Sequence, residues 1–185
     1  MVRLMSSTGS VAQGAGNWLG ARAAGVLLLI VVTALSGCLS DSGTDVLDPT
    51  EIDFAASLGV DLAQMTRSSS GLYIQDEVVG DGEEARAGDE VSVHYQGWLS
   101  NGNELENSRT DGFGALTIEV LGGGEVIPGW DEGLVGMREG GTRLLVIPPH
   151  LAYGRQGVVV QGVSLIPSNA TLVFRVEMLE VTKTE

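Results

Sequence analysis

The chain has 185 residues, with 24 acidic against ten basic side chains and a formal net charge of −14. So acidic a surface repels phosphate backbones and anionic headgroups, which sets aside nucleic-acid binding and attachment to a membrane through a basic patch. A single cysteine excludes a disulfide within one molecule, and 43% apolar residues suffice for one buried core.

At the N-terminus, Arg3 and Arg22 precede an apolar run from Ala23 to Leu35, which ends in Leu35-Ser36-Gly37-Cys38. A charged start, an apolar stretch short for a membrane span and small residues at its end read as a secretory signal peptide over residues 1–37. A lone Cys directly after Leu-Ser-Gly resembles the bacterial lipobox, which implies cleavage before Cys38 and a lipid attached to it. A cleaved soluble protein with a free thiol and an uncleaved short anchor are the competing readings. A chain starting at Cys38 carries eight basic and 24 acidic residues, a net charge of −16. Acyl groups would therefore be its means of holding a bilayer. Residues 38–70, rich in Ser, Asp, Gly and Thr, read as an acidic tether with little order before Thr50. Phe54, Leu58, Leu62 and Met65 suggest one short amphipathic helix over Ile52 to Met65.

Residues 71–185 form one domain. Leu72 to Val79 reads as a strand closed by Gly80-Asp81-Gly82. Val91, Val93 and Tyr95 alternate with Ser92, His94 and Gln96 in a second strand, and Asn101-Gly102 marks a hairpin turn after it. Leu116, Ile118 and Val120 make a further strand. A glycine run then leads into Val126-Ile127-Pro128-Gly129-Trp130, where Pro128 suits the first turn of a helix and Trp130, Leu134 and Met137 recur at helical spacing. Gly129, Gly133 and Gly136 each cost about 1 kcal/mol against Ala, so this helix needs a sheet to hold it. Thr142 to Ile147 and Ala170 to Val181 are the last two strands, and His150 to Asn169 between them reads as a long loop. The expected fold is α+β, an antiparallel sheet over one short helix.

Most catalytic chemistry lacks its residues here. Covalent catalysis needs a nucleophile beside a base, and the domain has no Cys after Cys38 and only His94 and His150. His94 lies on a strand and reads as structural, and His150 after two prolines as a loop hydrogen-bonder. No Lys or Arg accompanies the Gly124 region to hold phosphate, and no His or Glu shows metal-ligand spacing. Neither a cofactor nor a metal is implied, and the acidity reads as a solvated surface. What remains is chemistry that a shaped apolar pocket performs, with the few aromatic rings converging on it.

Five motifs in order carry a resemblance: Val93-His94-Tyr95-Gln96-Gly97, Asn107-Ser108-Arg109, Glu125-Val126-Ile127-Pro128-Gly129-Trp130, Ala152-Tyr153-Gly154, and Ile166-Pro167-Ser168-Asn169-Ala170-Thr171-Leu172-Val173-Phe174. Together they resemble the FKBP-type peptidyl-prolyl cis/trans isomerases over Gly71 to Thr182. The resemblance implies a twisted antiparallel β-sheet wrapped around one short α-helix, with Trp130 as the floor of a proline pocket. Tyr95, Val126, Ile127 and Phe174 would be its walls, and Leu165 and Ile166 apolar loop residues over it. The Ile127 N–H would hold one substrate carbonyl and the Tyr153 hydroxyl another. Leu105 and Glu106 stand where the family has a Phe and an Asp, which keeps an apolar wall without its ring and a carboxylate on a longer arm. Leu116 or Thr117 takes the place of a further pocket Phe, with Leu116 named for the site, in a segment longer than usual. The loop from Arg155 to Ser164 is also extended, and its valines form either a lip that grips unfolded chain or a loop folded back on the domain.

The resemblance implies an isomerase acting on proline-containing segments of unfolded or exported proteins and open to FKBP-type macrolide inhibitors. Lipidated Cys38 would place it on the cell envelope. Leu39 after Cys38 resembles lipoproteins sent to an outer membrane, where the organism has one. Two rivals stand beside it: a non-catalytic proline-binding module or chaperone on the same fold, and a purely structural envelope lipoprotein with no affinity for proline.

Overall fold

A computed structural model of the chain describes residues 47–184. The expected signal peptide, Cys38 and the first part of the tether lie outside the described residues. Nine strands and one α-helix follow one another as β1 (Thr66–Arg67), β2 (Tyr73–Val78), β3 (Glu90–Leu99), β4 (Glu104–Asn107), β5 (Leu116–Ile118), α1 (Pro128–Gly133), β6 (Thr142–Ile147), β7 (Val158–Val160), β8 (Val163–Ile166) and β9 (Leu172–Thr182). Seven of the strands form one sheet in the order β1-β2-β6-β9-β3-β4, with β5 also on β3, and every pairing in it is antiparallel. Its spine is the long β3–β9 pair, which runs from Glu90↔Thr182 to Leu99↔Leu172 with a register shift between Ser92 and Val93.

Alternation along the strands sends one set of side chains toward α1 and the other outward. Inside, Val91, Val93, Leu145, Ile147, Phe174, Val176 and Met178 pack with Trp130, Leu134 and Met137. Outside, Tyr73, Leu144, Val146 and Val173 pack with Leu58 and Met65. Strand β6 is covered on both faces, which is why Leu144-Leu145-Val146-Ile147 reads as an unbroken apolar run.

The outer cover corrects one expectation. Residues 52–65 do not form an amphipathic helix; 3-10 turns at Ala56–Leu58 and Leu62–Gln64, preceded by one at Pro49–Glu51, carry the chain across the back of the sheet. Gly59 takes a left-handed conformation (φ 69°) that ends the second turn, and Ala55 N–H donates to Ser100 O at 2.9 Å instead of to a helical carbonyl. The apolar residues thus occupy separate hollows of the sheet, with Leu58 2% exposed. The loop from His150 to Asn169 is also more ordered than its polar and glycine content suggests, since it contains the separate two-stranded sheet β7–β8.

Helix α1 has six residues and rests directly on β6. A Cβ at Gly129 would lie 2.4 Å from Ile147 Cγ2, and one at Gly133 2.9 Å from Leu145 Cδ2, so these glycines are what lets backbone meet strand. Buried Arg143 on β6 secures the far end: Nη1 donates to Gly133 O (2.7 Å) and Val135 O (3.1 Å), while Nε and Nη2 hold the Asp76 carboxylate (2.6 and 3.1 Å). Carbonyls that a helix end leaves unpaired are satisfied there by a charged donor.

Candidate active site

Three rings from three elements meet at the start of α1. Trp130 stands with its ring 5.0 Å from that of Tyr95 on β3 and 5.3 Å from that of Phe174 on β9, both edge-to-face at 82° and 88°. Tyr95 and Phe174 are 6.4 Å apart. Trp130 and Phe174 are buried, and the indole Nε1 is enclosed with no hydrogen-bond partner. Such edge-to-face contacts are the favoured arrangement of ring quadrupoles and make a rigid, dry floor.

Around this floor, Leu105 on β4, Leu116 on β5, Val126 and Ile127 before α1, Tyr153 after β6 and Ile166 at the end of β8 are half-buried and pack against the same core. Leu165 differs: it is half-exposed on the outer side of β8. Among the described residues the polar members are few. The Glu106 carboxylate lies near the Tyr95 hydroxyl and acts on it electrostatically. Burial, and then Glu106, push the Tyr95 phenol well above its ordinary pKa, and burial followed by the Glu106 charge raises Tyr153 as well. Both phenols are therefore neutral hydrogen-bond donors at any physiological pH. The site offers two hydroxyls and one carboxylate beside a cluster of apolar side chains, and among the described residues no nucleophile stands next to a base there.

Several residues that position the site carry no sequence assignment of their own. Buried Ser108 locks β3 to the end of β4: its Oγ accepts from Tyr95 N (2.9 Å) and lies 2.9 Å from His94 Nδ1, and its N–H donates to Tyr95 O (3.0 Å). This gives His94 a structural partner. Asp131 accepts from Gly122 N (2.9 Å) and Gly124 N (3.0 Å), tying the glycine loop to the helix just before Val126 and Ile127. Gly97 leaves room for a ring, because a Cβ there would come within 2.4 Å of Phe174 Cε1. Ser108 and Gly97 belong to two of the five sequence motifs; Asp131 has only its place in the first turn of the helix as a signal. A separate cleft of about 390 Å³, lined by Asp48, Arg67, Ser68–Gly71 and His150, contains none of the rings. His150 there bonds Ser70 O at 2.8 Å, a loop contact away from the pocket. No cluster of His, Cys, Asp or Glu suited to a metal occurs among the described residues.

The model of the C-terminal domain of FKBP-type peptidyl-prolyl cis-trans isomerases matches residues 81–179, which include Tyr95, Trp130, Tyr153 and Phe174. The chain belongs to that family. It is 50% identical over 111 residues to an FK506-binding protein of Neisseria meningitidis serogroup B, an alignment covering 60% of this chain and 96% of the relative. It is 47% identical over 114 residues to the FKBP-type isomerase FkpA of Escherichia coli K12, covering 62% of this chain but 39% of FkpA. Among solved structures, AtFKBP13 superposes with a TM-score of 0.58 at 41% identity, covering 63% of this chain and 97% of that one. E. coli FkpA superposes equally, at 45% identity over 66% of this chain and 53% of its own. The antiparallel sheet around one short helix is thus the FKBP fold, and the activity that accompanies it is peptidyl-prolyl cis/trans isomerisation.

Proposed function

We propose that this FKBP-type isomerase acts on exported proteins from a lipid anchor at Cys38, and that the pocket of Tyr95, Trp130 and Phe174 is where the Xaa-Pro bond turns. The meeting of those three rings carries this reading. Rotation about an Xaa-Pro bond is opposed by amide resonance, a barrier of about 18–20 kcal/mol. Resonance places charge on oxygen and nitrogen, so an apolar pocket disfavours the planar ground state relative to the twisted transition state. The proline ring sits on Trp130, against Val126, Ile127, Leu105 and Leu116. The Ile127 N–H and the Tyr153 hydroxyl donate to the carbonyls flanking the bond. Glu106, beside the Tyr95 hydroxyl, faces the twisting amide. No covalent bond is made or broken.

Export and anchoring find their support in residues 1–38, and the acidic surface suits an anchor made of lipid rather than of basic side chains. Leu39 favours an outer membrane as the address. Relatives in N. meningitidis are named for binding FK506, and the same hollow would take such macrolides here.

The test is an isomerisation assay on the full chain in detergent, with short Xaa-Pro peptides and Trp130→Ala beside the native protein. The variant is expected to lose at least about tenfold in kcat/KM, equivalent to about 1.4 kcal/mol of transition-state stabilisation. Unchanged turnover would overturn the pocket assignment. Binding of proline peptides without turnover by the native chain would leave a non-catalytic binding module. Mass spectrometry of the N-terminal peptide decides the anchor, since an unmodified Cys38 thiol in membrane-extracted protein rules it out.

A further inference from the structure

Eleven large apolar side chains stand exposed among the described residues, and four of them fall within seven positions: Val159 (61%), Val160 (48%), Val163 (61%) and Leu165 (50%). They occupy the β7–β8 hairpin. It is a built element: Gln161 (φ 50°) and Gly162 (φ 81°) form the two-residue turn with both φ positive that suits the twist of a hairpin, and Val160 pairs with Val163 across it. Its valines are not folded back on the domain.

The hairpin grows directly out of the site. Gly157 N–H donates to Tyr153 O (3.2 Å), Asn169 N–H to Gly154 O (2.9 Å) and Ser168 Oγ to Arg155 O (2.6 Å), which closes its base on the Tyr153 segment. At that base Val158 pairs with Ile166, and Ile166 packs on the core beside Tyr153. Charge sets it apart as well. From Gly140 to Val176 the chain contains no Asp or Glu, although the protein carries 24. An apolar, uncharged projection rising from an acidic domain beside a pocket for chain segments fits one kind of partner.

We propose that the exposed apolar tip of the β7–β8 hairpin is a second binding surface, which takes the apolar stretch of unfolded polypeptide continuing from the proline held in the pocket. It presupposes the proline pocket proposed above. Short peptides fill the pocket and end there; only a longer chain reaches Val159, Val160 and Val163. The surface therefore acts on affinity for unfolded protein and leaves turnover of short peptides alone.

The experiment replaces Val159, Val160 and Val163 together by Thr, which keeps the β-branched shape and the strand while making the tip polar. The full chain in detergent is compared with the variant for affinity to a labelled, permanently unfolded polypeptide containing proline, and for kcat/KM on a four-residue Xaa-Pro peptide. Binding of the unfolded chain is expected to weaken about tenfold. Four-residue turnover is expected to stay within about twofold of native, since none of the three residues lines the pocket. Unchanged affinity for the unfolded chain overturns the proposal. So does an equal fall in both readouts, which would make the hairpin a wall of the pocket. Loss of self-association or of vesicle binding, with affinity for the unfolded chain intact, assigns the face to a second copy or to lipid and also overturns it. Failure of the native protein on the four-residue peptide counts against the catalytic reading instead, and the affinity comparison still decides the surface.

Discussion

Gly97 shows how narrowly the pocket is defined. It lies on β3 two residues after Tyr95, and its missing side chain is the space that the Phe174 ring fills. Gly97→Ala forces the ring to move, an overpacking that costs about 1–3 kcal/mol. The expected outcome is a lower denaturation midpoint together with reduced kcat/KM on Xaa-Pro peptides, because the displaced ring is a pocket wall. A stability loss with native kinetics would show that Phe174 is core alone. Glu106 likewise acts across strands, raising the pKa of the Tyr95 hydroxyl. Single residues of this kind are legible as motif letters, but their role depends on a neighbour 77 positions away in the chain, as Gly97 and Phe174 are, and no local pattern encodes that distance.

At the scale of elements, the segment before β1 is the main departure from expectation. Four apolar residues at spacings of four and three look helical, yet the segment carries Gly59 and sits opposite an uncovered apolar sheet face. Tertiary burial outweighs helix propensity, which is a fraction of a kcal/mol per residue. Leu58 is the centre of that cover, and Leu58→Ala is expected to destabilise the fold by about 2–5 kcal/mol. Peptide turnover below the melting transition is expected to remain native, since the residue lies on the sheet face opposite Trp130. A variant of native stability would show that residues 52–65 cover the sheet without holding it. The helix, in contrast, was readable from Pro128 and the Trp130, Leu134, Met137 spacing, although Met137 lies past its end at Gly133. The capping role of Arg143 was not, because its partners come from β2 and from the far end of α1.

For the whole molecule, pH reports on the site. Tyr95 and Tyr153 both have raised pKa values in the folded state, Tyr95 by burial first and Tyr153 likewise. Below the ordinary phenol pKa, about 10, both groups are neutral whether the chain is folded or unfolded, and they add no pH dependence. Above it the unfolded chain ionises first, so stability falls as pH rises toward the folded values. Denaturation followed between pH 8 and 11 is expected to show this decline, and Tyr95→Phe to flatten it; an equal slope in the variant would place the alkaline sensitivity elsewhere. On the acid side, Asp89 is held below its ordinary pKa by the Lys183 ammonium and then by the Arg86 N–H. That contribution is present above the usual carboxylate pKa and is lost as pH falls through the lowered one.

By itself the chain's order of residues determined the strands seen as β2, β3, β5, β6 and β9, the short helix and the five motifs that carry the family resemblance, because alternation, turn chemistry and a proline at a helix start are local and survive in one dimension. Only the tertiary structure decided that residues 52–65 lie flat over the sheet, that Gly97, Ser108, Asp131 and Arg143 position the pocket, and that the loop after Tyr153 is a hairpin with its valines outward. Each of those outcomes depends on which surfaces meet across long separations in sequence. That is a matter of packing geometry, and packing has no period to read.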